Sequence, residues 1–226
     1  MQLPYEEDKL TDKRNTSASS LQSGSFLPVE KGTTHQIQLV LASQSQARKA
    51  ILKQLGLSFT IDPADIDENL QDRETPAEHV SELAFRKVVK VSGRHPSCLV
   101  IGADTVIVDD QGIIGKPNSP DEVRTILARL SGKSHRVITG MAIINSATGA
   151  SARKWDISTV TFRSLSPKTI ERYIQTDEPF GKAGGYALQG LGALLIESVQ
   201  GDYNNVLGLS ITSFVEALEE LGYELL

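Results

Sequence analysis

Apolar positions begin to recur with a regular period at Ile37, and their period changes several times before the C-terminus. Ile37-Gln38-Leu39-Val40-Leu41-Ala42 reads as a strand that ends at Ser43. Ala47, Ala50, Ile51 and Leu55 follow at helical spacing, and Gly56 stops that helix. Thr75-Pro76-Ala77-Glu78 is a capping box with Pro at the first helical position, opening a helix whose apolar face is Val80, Ala84, Val88 and Val91. Cys98 to Ala103 is a fully apolar run, read as a central strand with Asp104 at its end. A second capping box, Ser119-Pro120-Asp121-Glu122, leads into Val123, Ile126, Leu127 and Leu130, with Gly132 as the stop. Two long β-prone segments, 134–146 and 151–163, read as an antiparallel hairpin turned by Asn145 to Gly149. Ser166-Pro167 opens a further helix, and a strand near 193–199 and a helix from Ser210 to Leu221 close the chain.

Residues 1 to about 34 are polar, Ser-rich and aperiodic, and too poor in apolar surface to offset ordering entropy. They are expected to be a disordered N-terminal tail, leaving 35–226 as a single folded domain. The element order predicts an α/β fold: a mixed twisted sheet flanked by helices, with two lobes around a cleft.

Composition narrows the function. A formal net charge of −5 argues against the broad basic face of a nucleic-acid binder, so a polyanionic ligand must be met by a few local Lys and Arg residues. Cys98 is the only cysteine, which rules out an internal disulfide and a zinc knuckle. No run reaches the roughly 18 to 20 apolar residues that span a bilayer. The first residues lack a secretory signature, and Glu6, Glu7, Asp8 and Asp12 argue against a transit peptide. The cytoplasm is the expected compartment, with no membrane or nucleic-acid partner.

Spacing excludes several familiar chemistries. Gly115-Lys116-Pro117 is not a Walker A loop, because Pro follows the Lys and Asp110 stands where the first Gly belongs. Gly190-Leu191-Gly192 lacks the third glycine of a dinucleotide fingerprint, and Ser43 has no Gly-x-Ser-x-Gly frame. His35, His79, His95 and His135 show no ligand spacing.

What remains is a dispersed set of polar residues. The strand–Ser–helix junction at Ser43 resembles an anion cradle in outline. Asp104, closing an apolar strand, is either a solvated terminus or a carboxylate received by a metal or hydrogen bonds. Asp67 and Glu68 lie in a polar loop and read singly as surface charges. Lys87 falls on the apolar face of its helix, where it either snorkels outward or points into a cleft. Lys116 sits in a tight turn, and Lys182 lies in a glycine loop that is either a linker or a close approach to ligand. Together they supply carboxylates for a divalent cation and a base, and separated cations for a triphosphate, the mixture that phosphoryl-transfer sites use.

Several stretches also resemble the motifs of one family. Leu39-Val40-Leu41-Ala42-Ser43-Gln44-Ser45-Gln46-Ala47-Arg48-Lys49 is similar to the opening Ser-x-Ser-x-Arg-Arg motif of the Maf family. Ile101-Gly102-Ala103-Asp104-Thr105-Val106 resembles its Gly-Ala-Asp-Thr motif, and Gly115-Lys116-Pro117 its Gly-Lys-Pro. Lys182-Ala183-Gly184-Gly185-Tyr186-Ala187-Leu188-Gln189-Gly190 is similar to its Lys-Ala-Gly-x-Tyr-x-x-Gln-Gly block. Gly201-Asp202-Tyr203-Asn204-Asn205-Val206-Leu207-Gly208-Leu209 resembles its closing motif, and the matches run in family order from Leu39 to Leu209.

The resemblance implies a nucleoside-triphosphate pyrophosphatase that uses a divalent cation, magnesium or manganese, on an α/β fold related to the inosine-triphosphate pyrophosphatases. It implies Asp104 as proton acceptor, Ser43, Arg48, Lys87, Lys116 and Lys182 as phosphate-holding residues, and Glu68 with Asp104 at the metal. Thr105 and Gln189 match the subfamily that prefers dTTP and UTP. One departure concerns specificity: the family's first Arg of the pair is Ala47 here, and the Pro before it is Gln46. The expected reaction is attack of an Asp104-activated water on the α-phosphorus, with pyrophosphate leaving. A nucleotide-binding regulatory protein of cell division with little turnover is the alternative, a phosphatase cutting the terminal phosphate a third reading, and a homodimer is left open.

Overall fold

Around one long central strand, apolar on both faces, the chain builds a mixed sheet with helices packed against either side. A computed structural model describes residues 27–68 and 75–226. In chain order the elements are β1 (Val29–Glu30), β2 (Gln38–Leu41), α1 (Gln46–Gln54), β3 (Thr60–Ile61), α2 (Pro76–Ser92), β4 (Cys98–Asp109) and β5 (Gly112–Ile114). They continue with α3 (Pro120–Leu130), β6 (Ser134–Asn145), β7 (Ser151–Phe162), α4 (Pro167–Ile174), β8 (Ile196–Gln200), α5 (Tyr203–Leu207), α6 (Ile211–Glu220) and β9 (Tyr223–Glu224). The main sheet has the order β3-β2-β4-β6-β7-β8, with β5 added to β4. β2 runs parallel to β3 and β4, and the remaining pairs are antiparallel. Among the described residues, no helix is long and apolar enough to cross a membrane.

Local chemistry accounts for the helix starts. Thr75 accepts from the Glu78 N–H while the Glu78 carboxylate accepts from the Thr75 N–H at 2.8 Å, so both halves of that capping box form. At α3 only one half forms. Ser119 accepts from the Glu122 N–H, but the Glu122 carboxylate reaches one residue further back, to the Asn118 N–H at 2.8 Å. Ser45, rather than Ser43, is the N-cap of α1.

Two expectations need correction. Asp104 does not end its strand: β4 runs on to Asp109, because Val106, Ile107 and Val108 resume the apolar pattern and β6 stays paired with β4 from Leu99 to Val108. Of the segment read as a tail, residues 1–26 lie outside the described residues, whereas 27–34 contribute β1. Val29 pairs there with Glu224 and Glu30 with Tyr223, and Leu27 is buried beside them.

Helix α2 lies unusually close to the sheet. Gly102 on β4 and Gly140 on β6 carry no Cβ where the helix crosses. A methyl group at Gly140 would stand 2.4 Å from the Val80 carbonyl carbon, and one at Gly102 would stand 2.8 Å from the Ala84 oxygen. Beneath the helix, Val80, Leu83, Ala84, Val88 and Val91 are buried, each larger side chain contributing about 1.5–3 kcal/mol. The opposite face packs Leu99, Ile101, Ala103 and Met141 against Ile51, Phe214 and Leu218, from α1 and α6. A second core gathers Val123, Leu127, Val160, Phe162 and Tyr173 under α3 and α4.

Candidate active site

The cleft opens where β4 loses a neighbour. On one edge β4 pairs with β2 only as far as Ile101, and β5 joins the same edge from Ile107. Between those points this edge of β4 has no strand partner, and Asp104 and Thr105, on opposite faces of the strand, both border one hollow. The hollow is about 1360 Å³ and is walled by the β2–α1 junction on one side and the 180–189 loop on the other.

Every candidate residue reaches it. Ser43, Ala47, Arg48, Glu68, Lys87, Asp104, Thr105, Lys116, Lys182 and Gln189 all line this cleft. Lys87 settles its ambiguity by pointing inward: it is buried, its ammonium donating to Asp104 Oδ1 at 2.8 Å and meeting Glu68 Oε1 at 2.7 Å. The close crossing of α2 at Gly102 delivers it there. Lys116 stands 3.9 Å from Glu68 Oε2 and is mostly exposed. Burial would raise the Glu68 pKa, but the hydrogen bond and charge of Lys87, then the charges of Lys116 and Arg48, hold it below the usual carboxylate range.

The loops carrying Lys116 and Lys182 are tied together. The Gly184 N–H donates to Gly115 O at 3.0 Å, and Gly184 adopts φ +70° with no room for a side chain against Ile107. Lys182 itself donates to the Glu178 carbonyl. The Glu178 carboxylate accepts from the Leu191 and Gly192 N–H groups at 3.0 and 2.7 Å and from the Tyr173 hydroxyl at 2.8 Å. It thereby anchors the chain just after Gln189, which is exposed on the rim.

Arg48 is more constrained than a freely reaching phosphate ligand. Its Nε donates to Gly208 O at 2.8 Å, Nη1 to Ser43 Oγ at 3.2 Å and Nη2 to Thr105 Oγ1 at 3.1 Å. Burial lowers its pKa and the charges of Asp104 and Glu68 oppose that, but a guanidinium stays cationic throughout. Two of its N–H groups remain free of these bonds. Ala47, on the same first turn of α1, adds no charge to the wall.

Sequence reasoning missed several contributors. Asp65 lines the cleft from an exposed loop position. Thr139 and Asn205 are buried polar residues behind Thr105, and their only signal was polarity inside otherwise apolar or motif-bearing stretches. His135, buried and bonded to the Tyr186 hydroxyl at 2.7 Å, has its pKa pushed down to about 4 by burial, against the pull of Asp109. It is therefore neutral near pH 7 and packs edge-on to Phe162 and Tyr186.

The donor set suits a hard divalent cation. Asp104 and Glu68 both offer carboxylate oxygens to the single positive charge of Lys87, so a cation already sits between them. Among the described residues no group of three or more His, Cys, Asp or Glu could hold an ion unaided. Magnesium-like ions need no such cage, binding through one or two carboxylates and completing their shell with phosphate oxygens and water.

A family model described as Maf-like protein matches residues 38–221, spanning both walls of the cleft. The chain belongs to the Maf family. Its Maf relatives include the dTTP/UTP pyrophosphatase of Clostridioides difficile, 44% identical over 80% of this chain and 94% of that one. The dTTP/UTP pyrophosphatase of Desulforamulus reducens is 42% identical over 83% of this chain and 98% of its own. Among solved structures, the Staphylococcus aureus Ham1 protein aligns with this Maf chain at a TM-score of 0.44 and 13% identity, over 82% of this chain and 93% of that chain.

Proposed function

We propose that this protein is a nucleoside-triphosphate pyrophosphatase that hydrolyses dTTP and UTP to the monophosphate and pyrophosphate in the cytoplasm. The observation that carries the reading is one cleft holding Asp104 beside Glu68 on an open strand edge, with Arg48, Lys87, Lys116 and Lys182 around them. The names of the relatives supply the substrate class.

Each residue has a part that its surroundings support. The Lys116 and Lys182 ammonium groups meet the phosphate chain, together with the N–H groups at the start of α1. Asp104 Oδ1 is held by Lys87, which leaves Oδ2 to take a proton from the attacking water. Asp104 and Glu68 would hold a divalent cation such as magnesium or manganese, which when bound neutralises phosphate charge. Gln189, on the rim, offers an amide donor and acceptor to the base.

Product analysis tests this reading. With dTTP or UTP and magnesium, pyrophosphate and monophosphate are expected in equal amounts, with no orthophosphate. Orthophosphate as the first product, or tight nucleotide binding with no turnover, would overturn it in favour of a terminal phosphatase or a regulatory binder.

A further inference from the structure

Gln189 stands at the top of a bow in the chain whose two feet, Ala187 and Gly192, nearly touch. A methyl group on Gly192 would stand 2.2 Å from the Ala187 carbonyl oxygen. Two side chains hold the feet together. On the near foot the Tyr173 hydroxyl accepts from the Ala187 N–H at 3.2 Å. On the far foot the Glu178 carboxylate accepts from the Leu191 N–H at 3.0 Å and the Gly192 N–H at 2.7 Å. The two side chains then join each other. An ionised carboxylate can only accept, so Tyr173 gives its one proton to Glu178 Oε1 at 2.8 Å. Burial would raise the Glu178 pKa, but the Gly192 and Leu191 N–H groups hold it below the usual carboxylate range, so both oxygens accept near pH 7. The bow also passes directly over this carboxylate: Gly190, at φ +89°, would bring a methyl within 2.6 Å of Glu178 Oε2.

The fold, rather than a ligand, places both residues. Tyr173 is buried in the second core. Glu178 follows Asp177, whose left-handed backbone (φ +58°) turns the chain just past α4. Glu178 also serves the two ends of the loop through different groups. Its main-chain oxygen accepts from the Lys182 ammonium, whereas its carboxylate holds the bow that carries Gln189.

We propose that Glu178 and Tyr173 are positioning residues for the nucleoside end of the substrate, clasping the 187–192 bow so that Gln189 is presented to the cleft in one place. Neither residue touches the ligand. The Lys182 bond runs to a backbone atom, so changing the Glu178 side chain leaves the phosphate end as it is.

The proposal rests on the reading that a nucleotide occupies this cleft with its base at Gln189. Affinities for the α,β-imido analogue of dTTP and for inorganic tripolyphosphate, both with magnesium, are measured by calorimetry. The proteins are the wild type, Glu178→Gln, Tyr173→Phe and Gln189→Ala. Tripolyphosphate has the charge and no base, so it reports on the Lys116 and Lys182 side alone. Glu178→Gln keeps the shape of the side chain, but its amide nitrogen cannot accept, and part of the clasp is lost. The nucleotide analogue should then bind about tenfold more weakly, because the ligand must immobilise the bow itself, while tripolyphosphate shifts by less than about twofold. Tyr173→Phe keeps the ring in the core and should give the same split, and it carries the test should Glu178→Gln not fold. In a Gln189→Ala background either change should cost little more, since a residue acting through Gln189 has nothing left to position.

Equal losses for both ligands would mean a structural role alone. No loss, or the full tenfold loss persisting without Gln189, would remove the clasp from substrate placement. Any of these overturns the proposal. A wild type that fails to bind the analogue overturns it together with the nucleotide reading. Pyrophosphate release from dTTP, followed in parallel, separates the two: release without the split sinks this inference alone, whereas the split without release sinks only the hydrolase.

Discussion

Replacing Asp104 with Asn is expected to lower kcat for dTTP by about 10³-fold, roughly 4 kcal/mol of barrier, while KM moves by less than about threefold. The asymmetry follows from the geometry. An amide oxygen at this position still accepts from Lys87 across the 2.8 Å contact, so the buried ammonium keeps a partner and α2 stays in place. The phosphate-facing groups Lys116 and Lys182 are untouched. What disappears is the oxygen able to take a proton from water, together with one carboxylate charge for the cation, which assays at saturating magnesium offset. Steady-state kinetics alongside an unfolding curve checks this. A variant that keeps more than a tenth of wild-type kcat would remove Asp104 from the chemistry, and a KM raised a hundredfold would make it a binding residue.

The second large effect is structural. Gly140→Ala is expected to cost about 3 kcal/mol, at the upper end for overpacking, because its methyl would meet backbone atoms that no rotamer change can move. The clashes are with the Val80 carbonyl carbon at 2.4 Å and the Ser81 nitrogen at 2.5 Å. In a domain of this size that corresponds to roughly 6–12 °C in Tm. Activity should fall too, since Asp104 pairs with Gly140 in register and Lys87 reaches it from the displaced helix. Thermal unfolding by circular dichroism reads the result, and a Tm within 2 °C of wild type would show that the helix accommodates the methyl.

Gly140 also illustrates how far the chain could be read. Helix starts were legible because caps are short-range chemistry: Thr75 with Glu78 and Ser166 before Pro167 need only their neighbours. The long hairpin of β6 and β7 was legible from β-propensity and its turn. Asp104 was misplaced to a strand end because a carboxylate inside a buried strand is costly, and its compensation by Lys87 comes from 17 residues away. The two-residue strands β1 and β9 have no periodicity to detect and exist only because Val29 and Glu30 meet Glu224 and Tyr223. For the cleft, motif order identified the chemical groups, but not that Arg48 is braced by Gly208, Ser43 and Thr105. Nor could it identify Thr139 and Asn205, buried behind Thr105 and joined to it by bonds between residues far apart in the chain.

Which phosphorus meets water in this cleft decides the chemistry. Hydrolysis of dTTP in ¹⁸O-enriched water, with both products weighed by mass spectrometry, addresses it directly. Attack at the α-phosphorus puts the heavy oxygen into dTMP and leaves pyrophosphate unlabelled. Label in the pyrophosphate, with none in dTMP, would mean the water arrives at the β-phosphorus, and Asp104 could not be poised as described.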